Sequence, residues 1–297
     1  MIVILGGNGY VGQAFQKAMR RRDIPYCVVS RSSVDYFQRA ALQGLLTVIR
    51  PGFLINAAGF TGRPNVDACE SARAECLAGN AMLPATIREV CESLEIPWGH
   101  VSSGCIYTGT HSDGTGFRES DPPNFSFRQN NCSFYSGTKA MGEELLEGAR
   151  DCYIWRLRIP FNEQDCSRNY ISKLMRYSRL LNARNSLSQL DECVNSCLQS
   201  WLNRVPFGIY NLTNPGSVTT AEVVAMIRRH RLCDREFSFF ESETEFMTKA
   251  AVAPRSNCVL DTTKATLAGV GMRPVEEAIE MALKNWNGAS VSPCKAA

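Results

Sequence analysis

The sequence predicts an α/β protein with a doubly wound parallel sheet and a second, smaller C-terminal lobe. Three observations predict this class. An apolar strand runs directly into a glycine-rich turn, strands and helices alternate up to about residue 160, and the pattern is looser after that point. The chain has 297 residues, of which 44% are hydrophobic, enough for one large domain or two modest ones.

The alternation also sets the expected domain boundaries. We expect residues 1–160 to form a nucleotide-binding domain, with a returning segment around 191–214 that contains the strand pattern GIYNLTN. Residues 161–190 and 215–287 are expected to form a substrate-binding lobe, with Met226 and Met281 in its core. The composition of the tail, 288–297, predicts disorder.

Composition and charge exclude several classes of function. The net charge is only +3 and no dense Lys/Arg run occurs, so nucleic acid is not expected as a partner. The thirteen cysteines are irregularly spaced, which argues against a zinc site or a disulfide framework and favours free thiols. The first apolar run, MIVIL, is too short for a signal peptide or a membrane span. We therefore expect a cytoplasmic protein with no metal and no membrane association.

The first strand and the turn after it indicate nucleotide binding. The stretch GGNGYVG places Gly6, Gly9 and Gly12 between the strand and a helical pattern. Such glycines allow a tight turn, a close approach to a pyrophosphate, and packing of the helix on the sheet. The alternative is a glycine-rich turn without a ligand. The expected cofactor contacts here are Gly6, Asn8, Gly9, Tyr10, Val11 and Gly12.

The second strand, YCVVS, indicates which dinucleotide is bound. It ends at Ser30 and is followed by Arg31, where NAD sites often have an acidic residue. An Arg beside a Ser suits a 2′-phosphate, which favours NADP; the alternative is an exposed surface Arg. Further expected contacts lie at the end of the next strand pattern, FLINAAG, and directly after CYIWRLRI: Asn56, Ala57, Ala58, Gly59 and Pro160.

Two later segments carry candidate chemistry. Tyr135 and Lys139 are four residues apart on a predicted helix, so they share one face, and a Lys beside a Tyr can lower the pKa of the phenol. The long loop from Thr108 to Asn131 lies between this helix and the strand WGHVSS. A loop of that length favours a substrate-facing role, and the alternative is a surface insertion.

The order of these motifs resembles the extended short-chain dehydrogenase/reductase family, with its Rossmann-like sheet. Longer stretches, including NAAGFTGRPNVDACES, SFYSGTKAMGEELL and NYISKLMRYSRLLNARNS, resemble the bifunctional nucleotide-4-keto-rhamnose 3,5-epimerase/4-reductases of plant UDP-L-rhamnose synthesis. The resemblance implies that the substrate is a nucleotide-diphosphate 4-keto-6-deoxy sugar. This sugar is epimerised at C3 and C5 and then reduced at C4 with NADPH.

The resemblance also implies residue roles. Tyr135 would protonate the C4 oxygen, Ser103 would hydrogen-bond the same oxygen, and Lys139 would bind the nicotinamide ribose. Cys105, in SSGCIYTG, and Lys173, in NYISKL, would be the proton-transfer pair of the epimerase. Monofunctional dTDP-4-dehydrorhamnose reductases usually have Tyr at the position of Cys105, whereas the bifunctional GDP-fucose synthases have Cys. The alternative for Cys105 is a buried thiol at a strand end.

Expected substrate contacts come from loops around the site. Arg63 and Arg255 are loop cations that suit a diphosphate, and the alternative for each is a structural ion pair. Arg168 and Asn169 flank Lys173 and are candidates for contacts to sugar or phosphate. The full expected set is Thr61, Arg63, Ser103, Cys105, Asn124, Phe125, Arg168, Asn169 and Arg255.

Two alternative functions stay open at this point. One is a 4-reductase alone, with Cys105 silent. The other is a non-catalytic regulatory subunit on the same fold, which the intact Gly6, Ser103, Tyr135 and Lys139 argue against. The sequence leaves the nucleotide open between UDP and dTDP. Relatives that pair through helices lead us to expect a homodimer.

Overall fold

A computed structural model describes residues 1–63 and 65–288, so all but the first residue of the predicted disordered tail lies outside the described residues. The N-terminal half alternates strands and helices. Its elements are β1 (Ile2–Leu5), α1 (Tyr10–Arg20), β2 (Tyr26–Val29), α2 (Arg39–Ile49), β3 (Phe53–Asn56), α3 (Arg73–Leu77), α4 (Leu83–Ser93), β4 (Trp98–Ser103), α5 (Phe134–Glu144) and β5 (Cys152–Leu157). Three 3₁₀ turns cover Val66–Glu70, Gly104–Ile106 and Phe127–Gln129, and a π-helical turn, Ala78–Met82, joins α3 to α4.

The C-terminal half has shorter strands and more loops. Its elements are β6 (Pro160–Phe161), α6 (Tyr170–Arg176), β7 (Arg179–Leu180), β8 (Arg184–Asn185), β9 (Ser188–Gln189), α7 (Leu190–Leu202), β10 (Gly208–Asn211), β11 (Val218–Thr219), α8 (Thr220–Arg229), β12 (Ser238–Phe239), α9 (Glu243–Lys249), α10 (Thr263–Leu267) and α11 (Val275–Lys284). Strands β6 to β9, β11 and β12 pair only two by two, outside the main sheet.

The main sheet has six strands in the order β2-β1-β3-β4-β5-β10, and every pairing is parallel. Strand β10 comes from the GIYNLTN segment and pairs with β5, with Ile209 opposite Ile154. The predicted fold class, a doubly wound parallel sheet, is confirmed. In such a sheet all the strands end at the same edge, and ligands bind at that edge.

Alternation along β1 shows how the sheet is covered on both faces. Ile2 and Ile4 are buried in one apolar cluster with residues of α1 and α7, whereas Val3 and Leu5 are buried in another with residues of α2 and α4. Successive side chains of a strand point to opposite faces. A sheet with helices on both faces needs apolar residues at every strand position, which explains the uninterrupted run IVIL.

The C-terminal lobe has its own apolar core. Residues of α6, α8 and α11 pack together there with β6 and β7. Met226 is buried in this core as expected, but Met281 is 48% exposed, so the expectation for Met281 was wrong. On α11 the buried positions include Ile279, and a residue two positions further lies about 200° around the helix, towards solvent. The assignment of nucleotide and substrate binding to the two parts stays a prediction.

The described cysteines are unpaired and the described helices are short or polar. Twelve cysteines lie in the described part of the chain, and all twelve are free thiols. Within residues 1–63 and 65–288, the helices are too short or too polar for any of them to cross a membrane.

Helix α5 approaches the π-helical turn very closely. A Cβ atom added at Gly142 would lie 2.2 Å from the carbonyl oxygen of Asn80. Because that neighbour is backbone, it cannot rotate away as a side chain would. The absence of a side chain at Gly142 therefore sets the distance between α5 and the segment that joins α3 to α4.

We predict that Gly142→Ala destabilises the protein by about 1–3 kcal/mol, because the added methyl group forces α5 away from the π-helical turn. Gly44→Ala is the matched control. Gly44 also lies inside a helix, α2, but nothing lies within 4 Å of its added Cβ atom. Alanine there should stabilise the helix by up to about 1 kcal/mol. Urea unfolding of both variants checks the prediction, and equal effects of the two substitutions would contradict it.

Candidate active site

The glycine-rich turn between β1 and α1 packs against the end of β3. Gly6 has φ of +74°, and a Cβ atom there would lie 2.4 Å from the backbone nitrogen of Ala58. A Cβ atom on Gly12 would lie 2.3 Å from the carbonyl oxygen of Gly6. Gly9 caps α1 without a side chain, so no side chain occupies the first N–H groups of the helix. These groups can therefore bind an anion such as a pyrophosphate.

Other predicted cofactor residues lie around this turn. The hydroxyl of Tyr10 donates to Oδ1 of Asn162 at 3.1 Å, and the backbone nitrogen of Ala57 donates to the carbonyl of Leu5 at 3.0 Å. Pro160 opens β6 directly after the end of β5. The structure thus brings the ends of β1, β3 and β5 together at one edge.

Arg31 lies at the end of β2, next to the glycine turn in strand order. Its guanidinium is 3.8 Å from the carboxylate of Asp35 and 4.6 Å from the ring centre of Phe37, and its side chain is 68% exposed. An exposed pair of this kind contributes little to stability. The hydroxyl of Ser30 lies 2.9 Å from that of Ser32. Both Ser30 and Arg31 are accessible to a phosphate.

Lys139 is buried between the ends of β3 and β4. Its Nζ donates to the carbonyl of Val101 at 3.5 Å, and a Cβ atom on Gly59 would lie 3.4 Å from Nζ. Burial lowers the pKa of Lys139, against the opposing effect of Cys105 and Glu143. The ammonium thus faces the strand edge at which the glycine turn lies.

Asn80, which the sequence reasoning missed, ties the loop after β3 to α5. Its Oδ1 accepts from the backbone nitrogen of Phe60 at 2.9 Å, and its Nδ2 donates to the carbonyl of Phe60 at 2.8 Å. Nδ2 also donates to the hydroxyl of Thr138 at 3.2 Å. A buried Asn in an otherwise apolar helical pattern was the available signal, because a buried amide needs partners.

Tyr135 lies one turn before Lys139 on α5. Burial raises the pKa of Tyr135 well above its usual value, Cys105 raises it further, and a hydrogen bond with Ser103 lowers it. Lys139 is not among the groups that dominate this pKa, so the lowering of the Tyr135 pKa by Lys139 stays a prediction. The phenol is therefore fully protonated at neutral pH and can act as a proton donor.

Cys105 lies in the 3₁₀ turn that follows β4. Its backbone nitrogen donates to the hydroxyl of Ser103 at 3.2 Å, and the residue is 8% exposed. It is buried in an apolar cluster against which Tyr135 packs. Burial raises the pKa of the Cys105 thiol. Hydrogen bonds with Ser103 and Ser136 lower it, and so do the charges of Lys139 and Arg158.

A buried ion pair lies next to the Cys105 cluster. Nη2 of Arg156 donates to Oε2 of Glu143 at 2.6 Å, and both side chains are almost fully buried. The hydroxyl of Ser102 donates to Oε1 of Glu143 at 2.5 Å, and Nη1 of Arg156 donates to the hydroxyl of Tyr107 at 3.1 Å. The pair therefore connects α5, β4 and β5 directly beside Ser103 and Cys105.

Lys173 lies on α6, in the C-terminal lobe, and is half-buried. Burial lowers its pKa, Arg168 lowers it further, and Cys166 opposes this shift. The groups that act most on Cys105 do not include Lys173. The pairing of Cys105 with Lys173 therefore stays a prediction.

Arg168 connects the two parts of the chain. Its Nη1 donates to the hydroxyl of Thr61 at 3.0 Å, and its Nη2 donates to the carbonyl of Gly62 at 3.0 Å. Thr61 and Arg63 are exposed in the loop after β3. This loop and the start of α6 therefore approach each other where substrate contacts were predicted.

Four other predicted substrate contacts have structural partners instead. Both amide atoms of Asn124 bind the backbone of Thr108, and Phe125 is 3% exposed. Asn169 is fully buried as the cap of α6. Arg255 binds both carboxylate oxygens of Asp67, at 2.7 and 2.6 Å. The ion pair of Arg255 with Asp67 is the structural alternative that was open for that residue. The roles of all four as substrate contacts stay predictions.

A cavity of about 410 Å³ opens in the C-terminal lobe, between the loop after β7 and the segment after β12. Its lining includes Asn182, Phe240 and Asn257. None of the residues of the Tyr135 cluster lines it. The chemistry argued from the side chains thus concerns the strand edge and not this cavity.

The chain is similar in sequence to proteins of known family. Residues 1–287 match the family described as the RmlD substrate binding domain. The chain is 36% identical over 267 residues to the bifunctional dTDP-4-dehydrorhamnose 3,5-epimerase/reductase of Arabidopsis thaliana, covering 88% of this chain and 85% of that protein. It is also 36% identical to a trifunctional dehydratase/epimerase/reductase of the same plant, but it spans only 39% of that protein's length, again over 88% of this chain.

Solved structures share the fold. The UDP-rhamnose synthase of Acanthamoeba polyphaga mimivirus has a TM-score of 0.86 and 25% identity, covering 96% of this chain and 98% of that one. A dTDP-4-dehydrorhamnose reductase from Bacillus anthracis, in complex with NADP, has a TM-score of 0.79 and 18% identity, covering 96% and 97%.

We predict that Glu143→Gln costs about 3–5 kcal/mol of stability, because it leaves the buried Arg156 without its counter-charge. Glu144→Gln is the control on the same helix. Glu144 pairs with Arg128 at 2.8 Å, but the Arg128 side chain is 76% exposed, so its loss should cost at most about 1 kcal/mol. Denaturant unfolding measures both, and a loss of similar size in the two variants would contradict the prediction.

His100 predicts a dependence of stability on pH. It is 1% exposed in β4, and its Nδ1 accepts from the amide of Asn56 at 3.0 Å. Burial lowers the pKa of His100 well below its usual value, and Lys139 lowers it further. The folded chain holds this ring neutral, whereas the unfolded chain protonates it below about pH 6.5. Its contribution is therefore complete above that pH and is lost as the pH falls.

For one such residue, the free energy of unfolding should fall by about 1.4 kcal/mol per pH unit below pH 6.5. The asparagine in His100→Asn cannot be protonated in this range, so the variant should lose less unfolding free energy as the pH falls. Urea unfolding at pH 7.5 and 5.5 measures the difference between the variant and the parent chain. If the unfolding free energy falls as much between pH 7.5 and 5.5 in His100→Asn as in the parent chain, His100 is not the group responsible.

Proposed function

Because the chain belongs to the family of the RmlD substrate binding domain, we propose that it is an NADPH-dependent nucleotide-sugar oxidoreductase that also epimerises its substrate. The substrate is a nucleotide-linked 4-keto-6-deoxy sugar, and the product is the nucleotide-linked L-rhamnose. One observation carries the proposal. The Cys105 thiol is buried in the apolar cluster against which Tyr135 packs, and the charge of Lys139 lowers the pKa of the same thiol.

The residues around the glycine turn fit NADPH. The first N–H groups of α1 suit the pyrophosphate, and the exposed Arg31 with Ser30 suits a 2′-phosphate. The Bacillus anthracis reductase of the same fold is described in complex with NADP, which supports this choice. When bound, the cofactor supplies the hydride for reduction.

Tyr135 is the proposed acid of the reduction. Hydride adds to C4 of the sugar, and the proton of the phenol passes to the C4 oxygen, which leaves a phenolate to be reprotonated from solvent. The raised pKa of Tyr135 ensures that the phenol carries this proton. Ser103 lies beside Cys105 and would hydrogen-bond the C4 oxygen, and Lys139 would hold the nicotinamide ribose.

Epimerisation uses the same keto group. The C4 carbonyl acidifies the C–H bonds at C3 and C5, because the carbanion formed delocalises into an enolate. Cys105 and Lys173 are the proposed proton-transfer pair: one removes the proton from carbon and the other returns a proton on the opposite face. Tyr135 and Ser103 would stabilise the enolate oxygen, so that both half-reactions share one pocket.

A 4-reductase without epimerase activity is the second candidate. Burial raises the pKa of the Cys105 thiol, as expected for a bystander, and dTDP-4-dehydrorhamnose reductases share the fold. The relatives include proteins named for UDP sugars and for dTDP sugars, so both nucleotides are candidates for either function. A homodimer and a cytoplasmic location stay predictions.

Deuterium uptake separates the two candidates. The protein is incubated with UDP-4-keto-6-deoxyglucose in heavy water without NADPH, and the mass of the sugar is measured. We expect a gain of two deuterons, because C3 and C5 both exchange, and we expect Cys105→Ala and Lys173→Ala to abolish it. Cys27→Ala is the matched control, since Cys27 lies on β2, away from the cluster.

Reduction is then measured with substrate that has already been epimerised. We expect Tyr135→Phe to reduce NADPH oxidation by at least about 100-fold, because it removes the general acid, whereas Cys105→Ala should retain most of it. If the parent chain takes up no deuterium but still oxidises NADPH, the protein is a 4-reductase without epimerase activity.

A further inference from the structure

Among the residues that the structure describes, Arg158 is a buried cation without an acidic partner. Arg158 is the first residue after β5, and it is 3% exposed. Nη1 donates to the hydroxyl of Ser256 at 2.9 Å, and Nη2 donates to Oδ1 of Asn185 and to the carbonyl of Ser256. All of these acceptors are neutral. Nε is buried without a hydrogen-bond partner among the described residues.

Arg156 shows how unusual this is. It lies two residues earlier, at similar depth, and it has the carboxylate of Glu143 at 2.6 Å. No carboxylate pairs with Arg158 in residues 1–63 or 65–288. An unpaired charge in the interior is unfavourable unless a negative charge forms beside it. The surroundings of Arg158 therefore favour any group nearby that can become an anion.

The side chain of Arg158 packs under the turn that carries Cys105. A Cβ atom on Gly104 would lie 3.6 Å from Cδ of Arg158. Ser256, which Arg158 binds, donates from its hydroxyl to the carbonyl of Tyr107 at 2.5 Å. Arg158 and Ser256 thus hold the turn from 104 to 107 on one side.

Two thiols flank Arg158. Cys105 follows Gly104 in the turn that Arg158 contacts, and the backbone nitrogen of Cys258 donates to Oδ1 of Asn185, which also accepts from Arg158. The charge of Arg158 lowers the pKa of both thiols. The thiol of Cys258 donates its proton to the carbonyl of Gly104 at 3.3 Å. A thiolate cannot donate, so this contact favours the protonated form of Cys258. Cys105 is therefore the thiol that is left to carry the negative charge.

The backbone beside Arg158 is also strained. Ile159 has φ of +41°, which is rare for a β-branched residue, and it precedes Pro160, which disfavours helical conformations before it. Such strain persists only where the surrounding structure fixes it, and it is common at functional sites. The unusual backbone at Ile159 changes the direction of the chain between Arg158 and β6.

We propose that Arg158 is a positioning residue of the epimerase half-reaction, which holds the 104–107 turn and stabilises the thiolate form of Cys105. This inference rests on the proposed function, since it assigns a role to the same thiol. The other groups that face Cys105 are Ser103 from β4, Ser136, Tyr135 and Lys139 from α5, and Cys132. Among them only Lys139 is a second cation, and none is a carboxylate.

The test measures the thiol itself, without substrate. Iodoacetamide alkylation of Cys105 is followed by peptide mass spectrometry between pH 6 and 10 in the parent chain, Arg158→Met and Arg158→Lys. In Arg158→Met we expect alkylation at neutral pH to slow by about tenfold, which corresponds to a rise of about one unit in the pKa of the thiol. Arg158→Lys keeps the charge and should restore most of the rate. Cys27, a partly buried thiol on β2, is the internal control, and its alkylation should not change.

Circular dichroism establishes that each variant is folded. An unchanged pH profile in folded Arg158→Met would overturn the proposal. If Arg158→Met does not fold, Arg158→Lys decides: a rate close to that of the parent chain supports a role of the charge, and a tenfold loss overturns it. Deuterium uptake should then fall more than NADPH oxidation with pre-epimerised substrate. If the parent chain takes up no deuterium, the proposed function fails, while the alkylation result still decides the role of Arg158.

Discussion

The buried ion pair between Glu143 and Arg156 fixes α5 against the sheet, and the candidate active site depends on it. Neither charge can be solvated, so each requires the other, and Ser102 and Tyr107 complete the contacts. Glu143 lies one turn after Lys139 and two turns after Tyr135, on the same face of the helix. The rotation of α5 that satisfies the pair is therefore the rotation that presents Tyr135 and Lys139 to the ends of β3 and β4.

Burial drives the titratable groups of the site towards their neutral forms. It raises the pKa of Tyr135 and Cys105 and lowers that of Lys139 and Lys173. Each of these groups therefore keeps its neutral form over a wider pH range than it would in water. The charges of Lys139 and Arg158 oppose part of the rise in the pKa of the Cys105 thiol.

The fold could be predicted from the sequence because the strands are buried on both faces and each is followed by a helix. The edge where Ser103, Tyr135 and Lys139 meet follows from that topology, since parallel strands end together. Contacts between distant segments could not be predicted. Arg255 is 188 residues from its partner Asp67, and nothing in either local sequence indicates that the two meet. Asn80 was missed for a related reason, because its role depends on a π-helical turn that has no recognisable local pattern.

That π-helical turn, residues 78–82, makes the chain sensitive to changes in length. Each residue of a helix advances the direction of the side chains by about 100°. A single deletion or insertion between α3 and α4 would therefore turn Asn80 away from Phe60 and Thr138, or turn α4 away from the core, even if every side chain were retained. In an alignment of related chains, this segment should therefore tolerate substitution at exposed positions such as Met82 but carry no gaps.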